Sequence, residues 1–547
     1  SVAGTITYED VTNVDSVGLI TARSGVNLSG GQLTVGTGVT IGVAGIATFR
    51  SGRVDVGDSL FNTSIGEGAG DALTTGNRNT SVGKNSLGSD TTGARNVAIG
   101  FQALDANSTG DYNSAVGSGA LQSNTTANSN TGVGLLALAA NTTASYNTAM
   151  GVGAMEANTT GADNIAVGYL ALDANTTGNY NVAVGRDALG ANTTGSNNTS
   201  IGYAALASNT TTSHNTAVGY YSLNASSGGN NACFGYQSGK ANTTGDSNTA
   251  IGSAALEANT TGDNNTAVGE SSLQSNTTAD DNTAVGKRAM ETNTTGANNV
   301  AVGSHALFAN TTAGENTAVG YQALYDNTTG GSNTALGHQS LANNTIGMRN
   351  VAVGDAVMFA NTTGGNNTAI GRYSLTSNTT ASDNTAVGYR SLYANTTGTY
   401  NVGVGVSALT ANTTANNNTA VGYNALTANT TGEKNTAVGK GVLQANTTAD
   451  ENTSVGYNSM YANTTGANNV AVGKDALSAN TTADNNTGIG YFALKTNTTG
   501  AGNVALGAYA LDASNSSNNV AIGIYAASDT TTGDNLVAVG RYALKDN

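Results

Sequence analysis

The histidines and the cysteine, the side chains best suited to hold a metal or act as a nucleophile, are few in this sequence, and their spacing suits neither task. The histidines are His214, His305 and His338. They lie far apart, with no Cys, Asp or Glu beside them at metal-ligand spacing, and they read as surface residues. Cys233 is the one cysteine, so no intrachain disulfide forms. It reads as a small buried hydrophobe; a sharper reading puts it near a symmetry axis where copies of the chain meet. Asp163, Asp263, Asp281 and Asp383 lie close to one phase of a repeat but lack counterparts in many other units, which argues against a regular calcium ladder. The Gly-rich text contains neither Gly-x-x-x-x-Gly-Lys-[Ser/Thr] nor a Gly-Gly-x-Gly-x-Asp frame. No Ser-His-Asp set or carboxylate pair stands out by spacing. No catalytic, cofactor-binding or metal site is assigned, and an enzyme is not expected.

Two polar residue sets recur instead. Asn-Thr-Thr triplets, such as those starting at Asn175, Asn192 and Asn259, match the glycosylation acceptor pattern. Turn chemistry explains them more simply, because Asn and Thr side chains hydrogen-bond to nearby backbone. Tyrosines recur just after a phrase-ending Gly, as in Tyr169, Tyr203, Tyr220, Tyr321, Tyr389, Tyr423, Tyr457 and Tyr491, and four residues further on in Tyr325, Tyr393 and Tyr461. Such rings can stack on sugars. Their plainer role is to cover the neighbouring repeat.

The element that must position all of these is the repeat itself. Asn164-Ile165-Ala166-Val167-Gly168 returns as Asn181-Val182-Ala183-Val184-Gly185 and again as Asn198-Thr199-Ser200-Ile201-Gly202, at a period of 17. The closing Gly runs from Gly66 to Gly540 through 29 units, with steps of 16 only at Gly219–Gly235 and Gly507–Gly523. The opening Asn is missing only in the last unit, where Leu536 stands. Both short units lose a residue within the Asn-Thr-Thr-Gly segment, which marks that segment as a turn. A fixed short period over hundreds of residues points to a solenoid or fibre.

Asn265-Thr266-Ala267-Val268-Gly269 alternates like a strand. Thr266 and Val268 share one face; Asn265, Ala267 and Gly269 make a flat face of small residues that lets another backbone come close. Leu273 adds a second apolar contact. No window carries a helical apolar pattern of useful length. The expected fold is all-β: a β-solenoid or β-roll fibre of 29 coils of about 17 residues. One coil buries too little to offset its ordering entropy, so Val stacks on Val, Leu on Leu, and Asn forms an amide ladder. At about 4.8 Å per coil the rod is roughly 140 Å long.

Residues 59–547 form this shaft. Residues 1–58 lack the register but still read as β, for example Thr5-Ile6-Thr7-Tyr8 and Ile46-Ala47-Thr48-Phe49. They are expected to be a collar or attachment segment. The formal charge is −15 and the 19 Lys and Arg are scattered singly, which excludes the basic stripe that nucleic-acid binding needs. No apolar run is long enough to insert into a membrane. The start at Ser1-Val2 reads as a processed or partial product.

The repeat Asn-Thr-Ala-Val-Gly-Tyr-x-Ala-Leu-x-x-Asn-Thr-Thr-Gly, over residues 62–547, resembles repeats in tail-fibre-like proteins of marine bacteriophages and some bacteria. It is more distantly similar to the Ser-Val-Ala-Ile-Gly coils of trimeric autotransporter adhesin heads, though the period is longer. The stretch from Tyr8 to Arg23 looks like text in cyanophage structural proteins. The resemblance implies a homotrimeric fibre, intertwined or side by side. It would be anchored to a virion baseplate through its amino-terminal segment and reach toward a host surface receptor or glycan. It also implies a carboxy-terminal tip or cleavable chaperone, whereas this sequence stops at Asn547 without such text. From the residues alone a coil can close on itself or share a core with two others. The flat Asn-Ala-Gly face and thin apolar content favour chain pairing, so a trimer is expected. The expected function is a rigid spacer in host attachment, located in the virion or at an extracellular surface. The alternatives are a bacterial adhesin or filament, and a glycan- or ice-binding solenoid using its Thr and Asn rows.

Overall fold

The computed structural model describes residues 59–545; the expected collar over 1–58 lies outside them. Among the described residues there are 29 strands of three residues, from β1 (Thr63–Ile65) to β29 (Val537–Val539), and no helix. Each strand pairs in parallel with its neighbours in sequence, giving a single β-solenoid of about 28 turns. Pairing stays in phase: Thr266, Ala267 and Val268 of β13 (Thr266–Val268) lie beside Thr283, Ala284 and Val285 of β14 (Thr283–Val285). The first short unit leaves the sheet undisturbed, since Thr216 pairs with Ala232 across it.

The coil Asn265–Asp281 shows how so short a repeat holds. Its backbone N–H groups leave the coil in both directions. Thr266, Leu273, Ser275 and Thr277 donate to Asn282, Ala289, Glu291 and Thr294 of the following coil, at 2.8 to 3.0 Å. Gly269, Ser271 and Asp281 donate to Ile251, Ser253 and Asp263 of the preceding one, at 2.7 to 3.1 Å. Switching direction this often requires the chain to enter the left-handed region repeatedly. Ser271, Leu273 and Asp281 have φ of 54°, 49° and 57°. Each such residue costs about 1 kcal/mol, which inter-coil bonds and the burial of Leu273, worth roughly 1.5 to 3 kcal/mol, offset. Gly269 sits at φ 135°, and a Cβ there would lie 2.5 Å from Gly286 O. That contact explains why the closing residue is Gly in each phrase that another coil follows: the flat side of the strand admits the next coil's backbone.

Ala267 and Leu273 are fully buried, and their counterparts join into one core cluster along the shaft. Thr266 and Val268 are only partly buried and face outward. This arrangement corrects two expectations. The small-residue face is the inside of a coil closed by its own chain, so it offers no surface for another chain, and the trimer argument drawn from it falls. The Val column does not supply the core; Leu and Ala do, because only small residues fit between the strand and the Leu turn.

The expected amide ladder is two ladders. In the first, Asn265 Oδ1 accepts from the Asn282 N–H at 3.1 Å, and its Nδ2 donates to Ala279 O at 2.8 Å, tying the coil closed. In the second, Asn276 Nδ2 donates to Asn259 Oδ1 at 2.9 Å and to Ala279 O at 3.0 Å. The side-chain ladder proper therefore runs through the Asn-Thr-Thr turn. At the last coil the Leu536 N–H still donates to Asn519 Oδ1 at 2.8 Å.

Candidate functional site

Taking Asn265–Asp281 as the reference coil, each outward position repeats as a column along the shaft. The strand presents the Thr266 and Val268 columns. The residues just after it, the Glu270 and Ser271 columns, border that face on one side. The residues just before it, the Asp280 and Asp281 columns, border it on the other.

The trailing border is aromatic and cationic. Tyr203, Tyr220 and Tyr236 stack face to face on successive coils, with centroids 5.3 and 5.5 Å apart. Tyr509, Tyr525 and Tyr542 do the same at 4.7 and 5.3 Å. Lys440 lies between the rings of Tyr423 and Tyr457, 5.8 and 5.6 Å from their centroids, and Arg186 lies between Tyr169 and Tyr203. Stacked rings spend their faces on one another, which leaves edges and hydroxyls outward. In these two runs the rings take the coil-covering role read from the sequence.

The leading border is a carboxylate run in places. Asp280 Oδ1 accepts the Asp263 N–H at 2.8 Å, Asp263 Oδ1 accepts the Asp246 N–H at 2.7 Å, and Asp246 Oδ1 accepts the Gly229 N–H at 2.6 Å. Where Ser or Asn occupies the column the same bond forms, as from the Asn179 N–H to Ser196 Oγ at 3.0 Å. A short oxygen acceptor is common in this column, while other coils place Ala or Gly there, as at Ala162, Ala297 and Gly314.

The residues singled out for chemistry are not brought together. His214 is exposed in a left-handed turn, at φ 64°. His305 meets Ser304 Oγ at 2.8 Å and sits among Phe308, Tyr321 and Tyr325. His338 stacks on Tyr321 and contacts Asp355 at 3.0 Å, and Asp355 also pairs with Arg372 at 3.1 Å. Asp163, Asp281 and Asp383 take the left-handed turn position on widely separated coils, and Asp263 belongs to the neighbouring column. Among the described residues, no three of His, Cys, Asp and Glu converge as a metal site would require. Cys233 is fully buried in the core of its own coil, and burial pushes its thiol up to about 12. The Asn of each Asn-Thr-Thr triplet, including Asn175, Asn192 and Asn259, is buried with Nδ2 hydrogen-bonded, which shields the acceptor atom in the folded coil.

One group was missed by sequence reading. Asp90 stands in the buried Asn276 column, its Oδ1 accepting from the Gly93 N–H at 2.8 Å and its Oδ2 from Asn96 Nδ2 at 3.3 Å. Burial raises its pKa to about 6. The signal was available as an Asp where the register calls for Asn. An open groove of about 540 Å³ also runs past Leu136, Glu156 and Asp173. Its lining mixes four Ala with Gln122, Ser123 and these three residues, and burial, with Asp187 and Glu156 nearby, raises the Asp173 pKa.

No family model matches the chain, and no curated protein matches it.

Proposed function

We propose that this chain is the shaft of a tail-fibre-like structural protein, a rigid spacer that holds an attachment function away from its anchor. The observation that carries the reading is the register. Twenty-eight successive strand pairings each advance by one coil, including both 16-residue steps. A rod of this kind, about 140 Å long, resists bending because most backbone donors of a coil are committed to a neighbouring one. The cyanophage-like stretch from Tyr8 to Arg23 supports a virion anchor, and the resemblance of the repeat supports a homotrimer. Location in the virion or at an extracellular surface belongs to the same proposal.

Mass spectrometry of purified phage particles from a host carrying this gene tests the reading: the chain is expected among the tail proteins, and its absence from the particles overturns it. Neighbouring genes separate this proposal from a bacterial surface filament. Tail and baseplate genes favour the fibre; secretion genes favour the filament.

A further inference from the structure

The face built by the Thr266 and Val268 columns has no cover within the shaft. Each of the 29 strands contributes two outward side chains, and none of them is charged. Most are Thr, Val or Ile, and they are open to solvent, as in Val438 at 36% and Ile251 at 42%. The area exposed along the face is on the order of 2,000 Å², well above the few hundred Å² of apolar patch that a monomer usually carries. It also exceeds the roughly 800 Å² per partner of a standard interface.

The two borders of this face differ in charge. The Asp280 and Asp281 columns hold thirteen acidic and four basic residues; the Glu270 and Ser271 columns hold nine basic and five acidic. The asymmetry is confined to part of the face: in the first eleven coils, to Gln237, each border holds two acidic and two basic residues, whereas in the following eighteen the Asp280 and Asp281 columns hold eleven acidic and two basic and the Glu270 and Ser271 columns seven basic and three acidic.

We infer that the Thr266–Val268 face is where copies of this chain associate side by side, and that the copies point in the same direction. The inference rests on the multi-copy reading proposed above. When two copies face each other with the same polarity, the acidic border of one lies opposite the basic border of the other. Inverting one copy sets acidic against acidic and basic against basic. The same matching of unlike borders holds around a threefold axis. Apolar burial supplies the attraction, and the borders select the direction. Parallel packing also gathers the β1 ends, as a fibre fixed at one end requires.

Light scattering and cross-linking of the full chain test this. The unaltered chain is expected to weigh a multiple of 54.0 kDa. Replacing Val268, Val285 and Val302 with Lys is expected to reduce it to monomer with its β circular dichroism unchanged, because these side chains are outside the core. Replacing the exposed Thr261, Thr278 and Thr295 of the turn with Lys is expected to leave the mass unaltered. Direction is read from Val184→Cys on β8 (Val182–Val184), since Cys233 is buried and does not compete. Parallel copies are joined by a flexible bis-maleimide from this variant alone; opposing unlike borders sets the two Val184 positions diagonally apart, beyond the reach of a disulfide. β22 (Thr419–Val421) lies as far from β29 as β8 lies from β1. Antiparallel copies therefore link only in a mixture of Val184→Cys with Val421→Cys, and that result overturns the shared direction. A multimer that survives the three Val→Lys changes overturns the face while leaving the multi-copy reading standing; a monomeric unaltered chain overturns both.

Discussion

Cys233 Sγ fills the space that a side chain on Gly239 would enter: a Cβ on Gly239 would lie 2.7 Å from that sulfur and 3.2 Å from Leu223 Cδ1. Ordinary coils place Ala at the first of these positions and Leu at the second, as Ala267 and Leu273 do. The Cys233 coil exchanges both, so the larger strand residue occupies what the missing Leu leaves open. Gly239 keeps the φ of its Leu counterparts, 58°, so the backbone accepts either arrangement.

The exchange predicts a compensating pair. Cys233→Ala opens a cavity and costs about 1 to 3 kcal/mol. Gly239→Leu forces its side chain onto the sulfur and costs about as much. The double variant restores the ordinary coil and recovers most of both losses. Hydrogen exchange of the amides from Asn231 to Ser247 reads this locally, which matters because a long repeat array need not unfold as one unit. Two losses that simply add show that the residues do not share a space.

The phrase-ending Gly makes a second prediction with its own control. A Cβ on Gly286 would lie 2.6 Å from Gly303 O, whereas one on Gly540 meets nothing nearer than Ala543 Cβ at 3.9 Å. Both residues share a positive φ, 135° and 127°. Gly→Ala at either site therefore carries the conformational cost, on the order of 1 to 3 kcal/mol. Only Gly286→Ala also drives adjacent coils apart. Limited proteolysis is expected to cut the Gly286→Ala chain near the substitution and to leave Gly540→Ala close to the unaltered chain. Equal sensitivity means that the close approach of coils is not what selects Gly.

Asp90 predicts a pH dependence. Its pKa is about 6 when folded, against 3.8 for the free side chain, with burial as the main cause. A raised carboxyl pKa means that the fold favours the protonated form. The stability it contributes is complete below about pH 3.8 and is lost as the pH rises through about 6. The loss is at most about 3 kcal/mol, less where water screens the carboxylate. Asp90→Asn restores the amide that the column calls for. It is expected to protect the coils around Gly93 at pH 8 and to change little at pH 4. Asp173 and Asp512 are pushed in the same direction by burial, so exchange must be followed at the Asp90 coil itself. If protection there still falls between pH 5 and 7 in Asp90→Asn, another group is responsible.

The fold was legible because period, strand phrase and turn all follow from letters fixed at one phase. The interior was not, because strand alternation separates two faces without saying which is covered. Thr266 and Val268 are the bulkier pair and look like core; Ala267 is the buried one because the Leu column packs against its side of the strand, and at the equivalent Gly132 a Cβ would lie 3.3 Å from Leu121 of the preceding coil, a packing that alternation does not encode. The left-handed Leu273 was invisible for the same reason, since Leu has no preference for that region and takes it only where inter-coil bonds outweigh the strain. At the candidate surface, the stacked Tyr runs were read correctly as cover for neighbouring coils. The charge asymmetry of the borders went unread because its members are scattered singly along the sequence and align only when the coils are stacked.

The Asn276 column gives the last prediction. Asn276→Ala removes the donor to Asn259 Oδ1 and Ala279 O, and the acceptor that Asn293 Nδ2 uses at 3.0 Å. Ala279 O keeps its bond from Asn265 Nδ2 and Asn293 Nδ2 keeps its bond to Gly296 O, so Asn259 Oδ1 is the buried group left without a partner; that costs about 1 to 3 kcal/mol, and the coil should open about 5-fold to 150-fold more often. The shaft shows one way to lose this amide. Both 16-residue units place Ser here, Ser226 and Ser514, and in both the shorter turn brings a backbone N–H to the hydroxyl: Gly228 at 3.2 Å and Ser516 at 3.4 Å. Asn242 Nδ2 then reaches Ser226 Oγ at 3.3 Å, so the column continues through the substitution. Asn276→Ser in the full-length turn is therefore expected to destabilise the coil, and the same substitution combined with deletion of Thr278 to recover part of the loss. Exchange protection at Thr277 and Asn293 is the readout. If the shortened turn is worse than Asn276→Ser alone, turn length and residue type at this position are independent, and the pairing seen at Ser226 and Ser514 has another cause.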